Sequence, residues 1–276
     1  MLKIPCKDGF QLAASHFPAK KEEGKVLIIN SATAVDRKLY FHYASWMAEQ
    51  GYEVFSYDYR GIAESRPQKL RGFPASFRDW GVKDFPAVVA FARVKFPDHR
   101  LFVLGHSIGG TLTGMSDTLL QLDGLLTVAS QTAYYKDWAP EQRWKIFFLW
   151  HAFLPAMTSI FGYFPGKRLG ILEDVPKGVI AEWKERRKEA DLRIQMQSRG
   201  EQIFYQQYTG KLLSLGIYDD PIGTQAAVER MHLWYTAANK NMKILEHEDE
   251  VGHFGFFRRK FKESLWKESL EFFESC

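Results

Sequence analysis

An α/β fold with a mostly parallel central sheet, helices on both faces and a helical cap insertion is the class the sequence predicts, and three observations predict it. From residue 25 onward, short β-rich runs alternate with longer helical patterns, the sequence form of repeated strand–helix–strand units. Between residues 131 and 208 the alternation stops, and long segments rich in aromatic and charged residues replace it. One apolar run, residues 101–105, leads directly into Gly105-His106-Ser107-Ile108-Gly109, a glycine-punctuated passage from a strand into a helical pattern. With 276 residues, 46% of them hydrophobic and 25% charged, the chain can bury the core this fold needs.

Each element follows from the local pattern. Residues 2–17 read as a leading β-hairpin turned at Lys7-Asp8-Gly9. The runs at 25–30, 53–58, 101–105 and 124–130 are almost continuously apolar, as strands buried on both faces are. Two later strands, at 211–218 and 241–245, bracket a helical stretch from Thr224 to Asn239, and a last helix fits Phe261 to Phe273. Residues 1–130 and 209–276 therefore form the core, and 131–208 the cap. Within the cap, residues 146–164 are uncharged and, at ~1.5 Å per residue, long enough to span a ~30 Å hydrocarbon layer. A single span would put Ser107 and Asp220 on opposite sides of a membrane, and Pro155 and Gly162 divide the segment, so cap helices without stable membrane insertion are expected.

Charge and cysteines narrow the class of partner. A net charge of +4 from 37 basic and 33 acidic residues is too balanced for a nucleic-acid footprint. Cys6 and Cys276 stand at opposite ends with no paired spacing, and the first residues lack the ~7–15-residue apolar stretch of a secretory signal, so a cytoplasmic location is expected. No HExxH, paired Cys/His spacing or phosphate-binding G-x-x-x-x-G-K-[ST] loop is present, so neither a metal nor another cofactor is expected.

The chemistry starts at Ser107. Glycines two before and two after a serine suit a turn too tight for side chains, one that presents the hydroxyl at a helix N-terminus and aims the Ile108 N–H at a developing oxyanion. A serine hydroxyl needs a base, and the base needs an acid to fix its tautomer. In chain order serine, acid, histidine, the acid falls at the end of the strand near Tyr218, where Asp220 is the candidate. Its neighbour Asp219 should point the other way as a solvated loop carboxylate. Of the eight histidines only His232, His247 and His253 follow Asp220; His232 falls within a helix and His247 among acids, which leaves His253 as the base. The second oxyanion donor is expected after the first parallel strand, at Ala32 or else Thr33. Tyr134, Trp138 and Phe254 are candidate pocket residues, and Phe147, Phe148, Trp150 and Phe153 add apolar surface, although aromatics at helical spacing more often pack a cap against its core.

With the hairpin, the elbow, Asp58-Tyr59-Arg60-Gly61-Ile62-Ala63-Glu64-Ser65 and Gly252-His253 in view, the chain resembles the α/β-hydrolase superfamily over nearly its whole length. It is similar to a bacterial branch of predicted serine hydrolases whose layout is that of monoacylglycerol lipases and serine aminopeptidases. The resemblance implies a Ser-Asp-His triad at Ser107, Asp220 and His253. Two positions depart from the family pattern: Asn30-Ser31 stands where many relatives have His-Gly, and Ala63 replaces the second glycine of D-x-R-G-x-G-x-S. The expected function is cleavage of a small-molecule acyl ester, with a hydrophobic acyl or alcohol group, through an acyl-enzyme. A peptidase or thioesterase would use the same triad, an aminopeptidase drawing on Glu173 and Asp174 to hold an ammonium group. A non-catalytic ligand-binding protein on the same fold is the alternative from another class.

Overall fold

Successive strand side chains point to opposite faces, so a strand that is apolar at every position must be covered on both. The computed structural model of the chain describes residues 2–186, 189 and 191–276. In strand β3 (Lys25–Asn30), Val26 and Ile28 enter one core while Leu27 and Ile29 enter the other, and all four are buried. The remaining strands are β1 (Leu2–Pro5), β2 (Gln11–Phe17), β4 (Tyr52–Tyr57), β5 (Arg100–His106), β6 (Gly124–Val128), β7 (Tyr163–Phe164), β8 (Val175–Pro176), β9 (Lys211–Ile217) and β10 (Asn239–Leu245). Eight of them form one sheet in the order β1-β2-β4-β3-β5-β6-β9-β10, parallel from β4 onward, with β1 and β2 attached antiparallel as the expected hairpin. The helices Phe41–Glu49 and Leu265–Ser275 cover one face, and Phe85–Lys95 lies on the other.

Two helix boundaries differ from the sequence pattern. The helix read from Thr224 to Asn239 spans Gln225–His232, because Trp234 and Tyr235 turn inward and bury their rings 5.0 and 5.5 Å from Tyr205. The last helix begins at Leu265 rather than Phe261, whose ring is fully buried from a preceding 3-10 turn.

Strands β6 and β9 are hydrogen-bonded neighbours, so residues 129–210 leave the sheet and return to it. The helical run from Arg143 to Phe161 passes through Pro155 rather than breaking there, which corrects the expected division. It widens to a π-turn over Leu149–Phe153, with Leu154 N–H donating to the Leu149 carbonyl just before the residue that has no N–H to give. Gly162, at φ +78°, ends the run. Among the described residues no helix is long and apolar enough to cross a membrane. Trp150 stacks on Trp183 at 4.0 Å and Leu154 is buried, whereas Trp144 and Phe148 are exposed. The excursion is tied to the sheet's loops by Glu173 N–H to the Ala34 carbonyl (2.9 Å), Ala139 N–H to the Pro221 carbonyl (2.9 Å) and an Arg230–Asp137 ion pair.

Candidate active site

The turn after β5 is built as its glycines imply. Ser107 sits at φ +52°, ψ −120°, a conformation costly for any side-chain-bearing residue, between β5 and the helix Ile108–Thr113. A Cβ on Gly105 would overlap Gly110, one on Gly109 would overlap the Asn30 carbonyl oxygen, and one on Gly110 would overlap Ser130 Oγ. Ser107 N–H donates to the Val128 carbonyl at 2.9 Å, and Ser130 Oγ–H to the Gly105 carbonyl at 3.0 Å, so the elbow is pinned to the end of β6. Ile108, buried, heads the helix, where first-turn N–H groups have no partner inside it.

Asp220 and His253 meet Ser107 in one line. His253 Nε2 lies 2.9 Å from Ser107 Oγ, and His253 Nδ1 lies 2.6 Å from Asp220 Oδ2. The other carboxylate oxygen, Asp220 Oδ1, accepts from Ile222 N–H at 2.8 Å and Gly223 N–H at 2.9 Å. Burial opposes ionisation of Asp220, but the adjacent His253 and the two backbone N–H donors outweigh it and hold the carboxyl below its ordinary range. Gly223 is required here, since a Cβ on it would stand 2.5 Å from Asp220 Oδ2.

Asp219 is not merely a solvated carboxylate. Its side chain is exposed as expected, yet Oδ2 accepts from Val251 N–H and Oδ1 from Gly252 N–H, both at 2.8 Å, gripping the loop that presents His253. His232 and His247 stand apart from the Ser107 line: His232 Nδ1 pairs with Ser214 Oγ, and His247 Nδ1 accepts from Asp249 N–H.

The loop after β3 departs from the first expectation for the second oxyanion donor. Ala32 N–H is committed to Tyr40 Oη at 2.8 Å, which leaves Thr33 N–H as the candidate donor on this loop. Asn30, in the position that departs from the family's His-Gly, fixes the loop by accepting from Tyr57 Oη–H (2.8 Å) and donating to Thr113 Oγ1 (3.1 Å) on the helix after Ser107. Ala63 carries a φ of +41°, a left-handed conformation that glycine adopts freely and alanine does not.

The candidate pocket residues divide. Phe254 packs edge-on against His253 (5.0 Å) and His106 (5.7 Å) and so supports the histidine loop. Tyr134 lies under the Arg230 guanidinium at 5.2 Å, and Trp138 is fully buried and stacked on His151. Phe147 lies 4.6 Å from His151, Trp150 and Phe153 pack on the core, and Phe148 faces solvent. Glu173 and Asp174 are both occupied, by Lys167 at 2.9 Å and by Arg66. Among the described residues no three His, Cys, Asp or Glu side chains gather as a metal site.

Comparison with known proteins agrees with this architecture. Residues 22–155 match the family of S33 serine aminopeptidases. No curated protein sequence matches the chain. An esterase from Pyrococcus furiosus superposes with a TM-score of 0.68 at 15% identity, covering 99% of this chain and 90% of its own. An esterase from Exiguobacterium antarcticum gives 0.64 at 14% identity over 98% and 97% of the two chains, and a thermophilic esterase from Thermogutta terrifontis 0.60 at 16% identity over 99% and 98%. An eight-stranded, mostly parallel sheet, a serine elbow after β5 and this likeness over nearly the full length lead to one conclusion: the chain has the α/β-hydrolase fold.

Proposed function

We propose that the protein is a serine hydrolase that cleaves a carboxylic ester through an acyl-enzyme, with Ser107 as nucleophile, His253 as general base and Asp220 as the acid that orients it. One observation carries the reading: the unbroken hydrogen-bonded line from Asp220 Oδ2 through the His253 ring to Ser107 Oγ, with the serine held at a strained positive φ. His253 Nδ1–H donates a hydrogen bond to the Asp220 carboxylate, which keeps the ring proton on Nδ1 and leaves Nε2 free to take the proton from Ser107 Oγ. The oxygen attacks the ester carbonyl carbon, and the negative oxygen that results is received by the N–H groups of Ile108 and Thr33. The tetrahedral species collapses as His253 returns the proton to the departing alcohol. Water, deprotonated by the same histidine, then attacks the acyl-Ser107 carbonyl, and His253 returns that proton to Ser107 Oγ as the carbon–oxygen bond breaks and the acid leaves.

Residues 131–208 act in this reading as a cap over the loops that carry Asp220 and the oxyanion donors, joined to them at Ala139–Pro221 and Glu173–Ala34. A hydrophobic acyl or alcohol group is the substrate portion we propose, supported by the Phe254 ring beside His253 rather than by the cap aromatics, which are taken up in packing or face solvent. An aminopeptidase reading is weaker, because Glu173 and Asp174, the acids that would hold a substrate ammonium, are paired with Lys167 and Arg66. Unpaired thiols at Cys6 and Cys276 fit a reducing cytoplasm.

The test is labelling with a fluorophosphonate and turnover of esters of graded acyl length, for the native protein and Ser107→Ala. The native protein is expected to label and hydrolyse. The variant is expected to stay folded, lose labelling and retain at most the ~10³–10⁴-fold advantage over water that binding and oxyanion donors supply. Native-level turnover by Ser107→Ala would overturn the assignment.

A further inference from the structure

A single buried line of hydrogen bonds joins the oxyanion loop, the residue before Ser107 and the histidine loop. Ala32 N–H lies 2.8 Å from Tyr40 Oη, Tyr40 Oη lies 2.9 Å from His106 Nδ1, and His106 Nε2 lies 2.8 Å from the carbonyl oxygen of His253. Tyr40 and His106 are fully buried, and the ring of Phe257 closes over both, 4.6 Å from one and 4.9 Å from the other.

The two ends set the direction of every proton between them. An amide N–H can only donate and a carbonyl oxygen can only accept. Tyr40 Oη therefore accepts from Ala32, its own hydroxyl proton goes to His106 Nδ1, and the proton of the His106 ring sits on Nε2, where it is donated to the His253 carbonyl. Only this tautomer satisfies all the groups. Burial holds His106 well below the ordinary imidazole range, at about 3, helped by the neighbouring His253, so the ring stays neutral. Burial likewise pushes the Tyr40 phenol up, and its proton remains available to donate.

We propose that Tyr40 and His106 are positioning residues that hold the second oxyanion donor and the general base in one frame with the nucleophile. The proposal rests on the Ser107–His253–Asp220 reading above and adds how its parts are kept in register. Anchoring Ala32 N–H fixes the strand-to-loop turn one residue before the Thr33 N–H. Anchoring the His253 carbonyl fixes the backbone from which the imidazole swings. His106, the central member, is the residue before Ser107 and ends β5. Asp219 grips the same histidine loop from the solvent side through Val251 and Gly252, so the loop is held front and back. Simple packing would not call for a polar line here, since each buried member left unpaired would be destabilising.

Tyr40→Phe removes one oxygen and leaves Ala32 N–H and His106 Nδ1 without partners. Small displacements of catalytic groups are costly, so kcat is expected to fall on the order of 10- to 100-fold while KM stays near its native value and circular dichroism shows the native fold. His106→Gln, which keeps an N–H for the His253 carbonyl, is expected to recover most of the kcat lost in His106→Leu. A purely structural role would show no such recovery. Independently of activity, 15N NMR of ring-labelled histidine in the native protein is expected to show one ring protonated at Nε2 alone and not titrating between about pH 5 and 8. That signal must be absent in His106→Gln. Native kcat in folded Tyr40→Phe, or a His106 ring that is protonated on Nδ1 or titrates in that range, would overturn the proposal. If Tyr40→Phe does not fold, the tautomer measurement on the native protein decides. Hydrolysis surviving in Ser107→Ala would remove the hydrolase reading and leave the tautomer result standing, so the two failures are distinguishable.

Discussion

Asp220→Asn separates the proposed roles of the acid with little change in shape. Asp220 Oδ1 accepts two backbone N–H groups, from Ile222 and Gly223, and Oδ2 faces His253 Nδ1. An asparagine has one acceptor and one donor end, and it has to choose. If its oxygen keeps the two N–H groups, its NH2 faces Nδ1, and His253 must turn to the tautomer with the proton on Nε2, where it can no longer accept from Ser107. If the amide flips to restore the histidine, its NH2 is driven against two N–H donors, leaving both unpaired at ~1–3 kcal/mol each in a site where residue 220 is 2% exposed. The first orientation is therefore the lower in energy, and kcat is expected to fall by about 10⁴-fold, equivalent to about 5 kcal/mol in the barrier. Steady-state hydrolysis of a short-chain ester, with thermal unfolding as the check on folding, measures it. A folded Asn variant within about tenfold of the native kcat would refute the tautomer argument.

Asp219→Ala releases the Val251 and Gly252 N–H groups and should lower kcat by roughly tenfold, far less than Asp220→Asn; equal losses in parallel assays would mean that the two carboxylates do not divide the work as described. Gly109→Ala sets a methyl against the Asn30 carbonyl and is expected to destabilise the protein by more than ~3 kcal/mol in urea unfolding, with Gly9→Ala, where a Cβ meets nothing, as the milder control. His106 gives a pH dependence of stability. Its pKa is about 3 in the folded protein against 6.5 ordinarily, so above pH 6.5 neither state is charged and stability is full. Between pH 6.5 and about 3 only the unfolded chain takes up this proton, and stability falls by roughly 1.4 kcal/mol per unit as the pH drops. Urea midpoints measured across that range should decline less steeply in His106→Gln, and an unchanged slope would contradict the burial argument.

The parts legible in the sequence are those whose physics is local. Continuous apolar runs marked the parallel strands because each is covered on both faces, and the glycines around Ser107 marked the elbow because backbone and side chains crowd there. Asp220 and His253 could be picked out because strand ends and chain order left few candidates. What stayed hidden depends on contacts between residues distant in sequence. Tyr40 meets His106 across 66 positions and belongs to no recognisable motif, so nothing signalled that it would take the Ala32 N–H. Asp219 looked solvated because its carboxylate is exposed, while its two partners come from a loop 32 and 33 residues later. Pro155 reads as a division of the helical segment in sequence, because the π-turn that accommodates it leaves no compositional trace.

The direct pairing of β6 with β9 has a consequence for how the chain is made. Gly124–Val128 is buried along its whole length, yet its partner on one side is separated from it by residues 129–210. At ~5–20 residues per second of synthesis, that strand edge waits on the order of 4–16 s before β9 leaves the ribosome. Until then a row of unpaired backbone groups flanked by Leu125, Leu126 and Val128 offers a template for pairing with another chain. Ser107 and its elbow already exist in this half-sheet, whereas Asp220 and His253 are still to come. The nascent protein thus passes through a stage in which its proposed nucleophile is present without acid or base, and in which β6 presents an open edge.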